Sequence, residues 1–152
     1  MGGAVKQFWT DVIWGELDYL VVDLPPGTGD APLTVLQSLP LDGLIIVSSP
    51  QDLAVMVVKK AIKTARMMNV PIFGLVENMS GLACPHCGQT VELFGSSQAE
   101  AVSAATGLKV LGKLPLDPQI SRLGDLGEIE QYPVDFLKTI PDMLESEIRK
   151  VR

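Results

Sequence analysis

Cysteine, basic residues in the first third, and long apolar runs are all scarce in this 152-residue sequence. The only two cysteines, Cys84 and Cys87, have C-x-x-C spacing, and the loop they would close is too small to staple a fold. A disulfide framework is therefore excluded, and the expected compartment is the reducing cytoplasm, with thiols free to bind metal or do redox work. Apolar runs such as Leu53 to Val58 fall far short of the roughly 20 residues that span a bilayer. No basic segment precedes an apolar one at the N-terminus, so neither a membrane span nor a secretory signal is expected. Met1-Gly2-Gly3 is not a myristoylation site, because Lys6 stands where Ser or Thr is required. Twelve basic residues against eighteen acidic ones give a net charge of −6, which argues against a nucleic-acid partner. The imbalance lies in residues 1–58, where Lys6 is the sole base among seven acids; the remainder is neutral.

The rest of the composition is ordinary for a soluble domain, 47% hydrophobic and 20% charged. A chain of this size buries roughly 68–70% of its unfolded surface and needs no metal to form a core. Apolar, β-branched runs at Tyr19–Asp23, Leu44–Ser48, Ile72–Val76 and Val110–Leu114 alternate with segments of helical periodicity, which predicts an α/β fold with a mostly parallel sheet flanked by helices. The helices are expected at Ala4–Trp14, Ala31–Leu39, Asp52–Met68, Gln98–Thr106 and Val134–Val151. Ser49-Pro50-Gln51-Asp52 reads as a helix start with Ser at the N-cap. Ser97 and Glu100 have capping-box spacing, Gly107 suits a left-handed C-cap, and Pro141 should break or kink the last helix. Residues 1–152 are expected to form one domain, with an insertion at about 78–95 that carries both cysteines on a small two-stranded excursion.

The run ending in Asp23 is followed at once by Leu24-Pro25-Pro26-Gly27-Thr28-Gly29-Asp30. Ligands of open α/β sheets sit beyond the carboxyl ends of strands, so a site is expected here. Asp23 could hold a water on Mg²⁺, and Gly27 could let a backbone N–H approach a terminal phosphate. A plain Pro-Gly turn is the competing reading.

The stretch Trp14 to Asp30 resembles the switch II region of the Mrp-type iron–sulfur cluster carrier ATPases, deviant P-loop proteins related to MinD and ParA. The resemblance continues through Ser49-Pro50-Gln51-Asp52, Val76-Glu77-Asn78-Met79-Ser80, Cys84-Pro85-His86-Cys87-Gly88, Leu93-Phe94-Gly95 and Leu111 to Asp117, covering about residues 4 to 126. It implies that Asp23 serves Mg²⁺ through water, that Gly27 faces the γ-phosphate of ATP, and that Asn78 and the Pro115 region contact the adenine. By itself, Asn78 reads more readily as a turn residue bonding nearby backbone. The family's glycine-rich, lysine-containing phosphate loop and its switch I aspartate have no counterpart, for no G-x-x-x-x-G-K-[ST] occurs. The expectation is a chain equivalent to the C-terminal portion of such a carrier, unable to hydrolyse ATP appreciably alone. In the family the phosphate-loop strand lies in the sheet beside the strand ending in Asp23, so its neighbours should be left short of partners.

The cysteine knuckle admits three readings. A C-P-H-C dithiol of the thioredoxin type needs a following helix or a nearby cation to favour its thiolate, whereas Gly88 and the strand-like Gln89–Leu93 follow here and no Lys or Arg lies between Met67 and Leu108. C-P-x-C-G otherwise reads as a metal knuckle, and both zinc and cubane clusters normally take four ligands. Two chains related by a two-fold axis supply Cys84 and Cys87 twice. The resemblance implies this homodimer, with a bridging 4Fe–4S cluster passed to apo iron–sulfur proteins; a zinc-knuckle interaction module at the same sulfurs is the alternative. His86 is expected to point away from the metal.

Overall fold

A computed structural model describes residues 2–27, 29–133 and 139–151. In chain order the elements are α1 (Gly2–Thr10), α2 (Asp30–Ser38), β1 (Leu44–Ser48), α3 (Asp52–Met67), β2 (Ile72–Glu77), β3 (Leu82–Ala83), β4 (Thr90–Val91), α4 (Ala99–Thr106), β5 (Val110–Lys113), α5 (Pro118–Leu126), a 3-10 turn (Ile129–Gln131) and α6 (Thr139–Val151). The α/β class expected from the alternation is the one observed. β1, β2 and β5 form a parallel sheet with β2 in the centre, and β3 and β4 make a separate antiparallel hairpin.

The core lies where helices cover the sheet. Ile46, Leu75 and Leu108 meet Val58 and Ile62 of α3 and Ala99 and Val102 of α4, a contiguous apolar cluster. The i, i+4, i+7 spacing of Val58, Ile62 and Ala65 puts them on one stripe of α3, all buried, while Lys59, Lys63 and Arg66 stay exposed. β2 is buried along its last four residues, Gly74 to Glu77, as a central strand should be. Among the described residues no helix is long and apolar enough to cross a membrane.

The expected strand at Tyr19–Asp23 does not form: the segment is exposed, Val21 by 88%, and no hydrogen bond among the described residues ties it to a neighbour. A strand exists only through pairing, and β1 is bonded on one edge alone, to β2. Asp23 therefore stands in a loop and not at a strand end. Three smaller expectations are also corrected. α1 stops at Thr10, and Trp14 lies beyond it. The N-cap of α3 is Gln51, and the Ser49 hydroxyl donates to Gln51 Oε1 at 2.7 Å instead of capping. The Ser97–Glu100 capping box does not form, since Gln98 occupies the N-cap of α4 without a side-chain cap bond and Glu100 pairs with Lys113 at 3.3 Å. Pro141 lies within the described α6, and the residues before Thr139, where the expected helix begins, are outside the described ones.

Helix α5 was not anticipated. Its start is nevertheless written in the sequence, with Pro118 at the first helical position and the Asp117 carboxylate accepting from the Gln119 N–H at 2.8 Å. Residues 134–138, the beginning of the expected last helix, lie outside the described residues, as does Thr28 of the Pro-Gly loop. Gly107 closes α4 as expected, in the left-handed conformation.

Candidate functional site

The carboxyl ends of β1, β2 and β5 are laced together by main-chain bonds. The Asn78 N–H donates to Ser48 O at 2.7 Å, Leu114 N–H to Glu77 O at 2.7 Å, Ser80 N–H to Leu114 O at 2.9 Å and Leu116 N–H to Gly81 O at 2.7 Å. Asn78 and Pro115, both half-buried, are thereby held on adjoining segments at one end of the sheet. The Asn78 side chain has a local job: its Oδ1 accepts from the Met79 N–H at 2.9 Å, in a turn where Met79 adopts φ 59°. This is the turn role that asparagine chemistry suggested. The amide nitrogen has no acceptor among the described residues and is the part of the side chain left for a ligand.

Asp23 and Gly27 lie on a separate segment of the chain. Asp23 is exposed and Gly27 half-buried, on the loop that leads into α2. Gly27 has φ +93° with open space where a Cβ would stand, so the position favours glycine on backbone grounds alone. No hydrogen bond among the described residues joins this loop to β1, β2 or β5. An amide nitrogen on Asn78 and Pro115 on the adjoining segment are compatible with the base end of a nucleotide. The residues present do not fit the phosphate end, where the sequence offers neither a glycine-rich loop nor its lysine.

The cysteines sit at the tip of the β3–β4 hairpin, which is registered Leu82 against Val91 and Ala83 against Thr90. Cys84 N–H donates to Gln89 O at 2.9 Å and Gly88 N–H to Cys84 O at 2.8 Å, closing a tight turn around both sulfurs. Gly88 adopts φ +71° there, a conformation that a side chain would strain. Both thiols are free; Cys84 is half-buried and Cys87 exposed, as is His86. The His86 N–H, then the Cys87 N–H, then the Cys87 thiol lower the Cys84 pKa from its ordinary value, with burial opposing them weakly. Turn amides thus supply the thiolate stabilisation for which no local cation exists. No helix follows the pair, since β4 does, and this removes the arrangement on which the thioredoxin-type reading depends. Among the described residues no group of three or more His, Cys, Asp or Glu side chains is placed to hold a metal ion, so one chain offers two sulfurs here and no further ligand. Val91, Leu93 and Phe94, which follow in the chain, are exposed apolar side chains.

One residue at the root of the hairpin escaped the sequence reading. Glu77 is 1% exposed, and its Oε2 accepts from the Gln98 N–H at 2.8 Å, the bond that takes the place of the absent capping box. The available signal was a carboxylate closing the otherwise apolar strand Ile72 to Val76.

The chain is similar to known proteins along most of its length. A family model described as ParA, NUBPL iron-transfer P-loop NTPase, matches residues 1–147. The iron–sulfur cluster carrier protein of Methanocaldococcus jannaschii is 48% identical over 128 residues, 84% of this chain and 44% of that protein. The mouse iron–sulfur cluster transfer protein NUBPL is 45% identical over 125 residues, 82% of this chain and 39% of the relative. The chain thus spans less than half the length of these relatives. Among solved structures, a nucleotide-binding protein of Archaeoglobus fulgidus in complex with ADP, with cobalt found in it, superimposes with a TM-score of 0.80 at 43% identity, covering 90% of this chain and 56% of the other.

Proposed function

The chain belongs to the ParA family of NUBPL-type iron-transfer P-loop NTPases, and from that membership we propose that it carries an iron–sulfur cluster on Cys84 and Cys87. The single observation that carries the reading is the hairpin-tip turn, in which two free sulfurs stand within reach of solvent and backbone N–H groups lower the Cys84 pKa. A cubane takes four thiolates and one chain brings two, so the cluster bridges a homodimer about a two-fold axis. The exposed apolar flank of Val91, Leu93 and Phe94 suits such an approach. The cargo is a 4Fe–4S cluster, and its recipients are apo iron–sulfur proteins in the cytoplasm.

The nucleotide roles that we propose are those the sequence resemblance implies. Asn78 and Pro115 hold the adenine; where a phosphate loop is supplied beside this chain, Gly27 faces the γ-phosphate and Asp23 serves Mg²⁺ through water. With no phosphate loop in the sequence, the chain alone does not hydrolyse ATP. The same gap favours a second reading, a zinc-knuckle interaction module without nucleotide chemistry, since thiolate sites accept either metal. Residues 1–152 act as one partial domain, and the excursion at about 78–95 is its metal-bearing part.

Anaerobic reconstitution of the chain with iron and sulfide tests the proposal. The wild-type chain is expected to retain two irons and two sulfides per chain, half a cubane each, and a Cys84→Ser, Cys87→Ser double variant none. Stoichiometric iron and sulfide in the double variant would remove the proposed ligands. One zinc per two chains after growth in minimal medium, with no cluster on reconstitution, would favour the zinc module.

A further inference from the structure

The carboxylate of Glu77 has no part in either set of ligands. Glu77 ends β2, and its own carbonyl accepts from the Leu114 N–H, beside Pro115. Residue 78 leaves the sheet directly after it, and the chain returns at Gln98, whose N–H donates to Glu77 Oε2. One buried side chain therefore joins the departure and the return of the whole cysteine-bearing excursion, across 21 positions of sequence. The return point is also the N-cap of α4, where a hydrogen-bond acceptor satisfies an otherwise unpaired N–H. No side chain of α4's own first turn supplies that bond, and Ser97 Oγ, next to it, is buried without a hydrogen-bond partner among the described residues, as is Glu77 Oε1. Closing a loop by one bond at its root restricts everything beyond it, which here means β3, β4 and the turn holding the sulfurs.

We propose that Glu77 is the positioning residue of the thiolate pair: by clasping the excursion to the N-terminus of α4, it fixes the Cys84–Cys87 turn relative to Asn78 and Pro115. The inference rests on the carrier reading of the two cysteines. Removing the clasp leaves the Gln98 N–H without its acceptor and frees the hairpin root, while the sheet bonds of β2 stay in place.

Cobalt(II) titrated into the reduced, anaerobic chain, followed by thiolate-to-cobalt absorption, reads the geometry of the sulfurs. Hydrogen exchange on the metal-free chain reads the hairpin without any metal. In Glu77→Ala the cobalt affinity is expected to fall at least about tenfold, the scale of losses when a group that orients metal ligands is removed. The Cys84 and Gly88 amides exchange faster, and those of Leu75 and Val76 do not change. Glu77→Gln, whose amide oxygen still accepts from Gln98, restores both readouts. Should Glu77→Ala fail to fold, Glu77→Asp, too short to reach Gln98, shows the same loss. Wild-type cobalt binding and unchanged hairpin exchange in Glu77→Ala or Glu77→Asp would overturn the role. Cobalt binding that persists in the Cys84→Ser, Cys87→Ser variant would instead overturn the carrier reading, and the inference with it.

Discussion

The two halves of this molecule treat the same kind of sequence differently. Around β2, apolar β-branched runs become paired strands whose side chains vanish from solvent, with Leu75 and Ala65 0% exposed. Between α1 and β1, a run of equal hydrophobicity, Tyr19 to Val22, stays unpaired, and Ile13 is 97% exposed. Composition does not separate the two. What separates them is neighbours: β2 has a strand on each side and helices packed against its sheet, whereas β1 is bonded on one edge only. Hydrophobic sequence encodes a strand conditionally, and the condition is an edge to pair with.

Hydrogen exchange is the strongest way to break this contrast. Amides of Leu75 and Val76 open only with the sheet, and those of Tyr19 to Val22 have nothing to open from, so their rates are expected to differ by at least about a thousandfold. Equal protection would mean that the first segment is paired in solution. Side-chain truncation sharpens the same point in energy. Leu75→Ala is expected to cost about 2–5 kcal/mol of stability in urea unfolding, and Val21→Ala to stay within about 0.5 kcal/mol of wild type.

A smaller effect belongs to the buried region's far end, where Tyr132 donates to Asp117 Oδ2 at 2.8 Å. Burial first, then the bond to Asp117 and its negative charge, raise the Tyr132 pKa above its ordinary value of 10.0. Its folded-state pKa exceeds its unfolded one, so the stabilisation is fully present below pH 10 and is lost as pH rises through the raised value. Tyr132→Phe is expected to cost about 0.5–1.5 kcal/mol at neutral pH and to abolish that alkaline loss, as urea melts at pH 8 and above pH 10 would show. Smallest is a reactivity change at the hairpin. His86→Pro removes the leading N–H donor to Cys84, so the alkylation of Cys84 by iodoacetamide should require a higher pH than in the wild-type chain.

Much of this could be read from the sequence because it depends on local chemistry. The βαβ alternation yields β1, α3, β2, α4 and β5 within a residue or so, and the glycines and cysteines of the excursion mark out its hairpin. The failures share one cause, which is that the deciding partner is distant. Tyr19–Asp23 has the composition of a strand and lacks a neighbour. Ser97 and Glu100 have capping spacing, but the cap bond comes from Glu77, and Glu100 turns to Lys113. α5 is a different case: Asp117, Pro118 and Gly127 spell both its ends locally, and the signal was there to be used.

Native mass spectrometry of the anaerobically reconstituted chain tests the central claim most directly, because it weighs chains and cargo together. The expected species is two chains with four irons and four sulfides, which falls apart to single, metal-free chains when Cys84 and Cys87 are both replaced by serine. A cluster held by a single chain, or a paired species whose iron survives the loss of both cysteines, would contradict the claim.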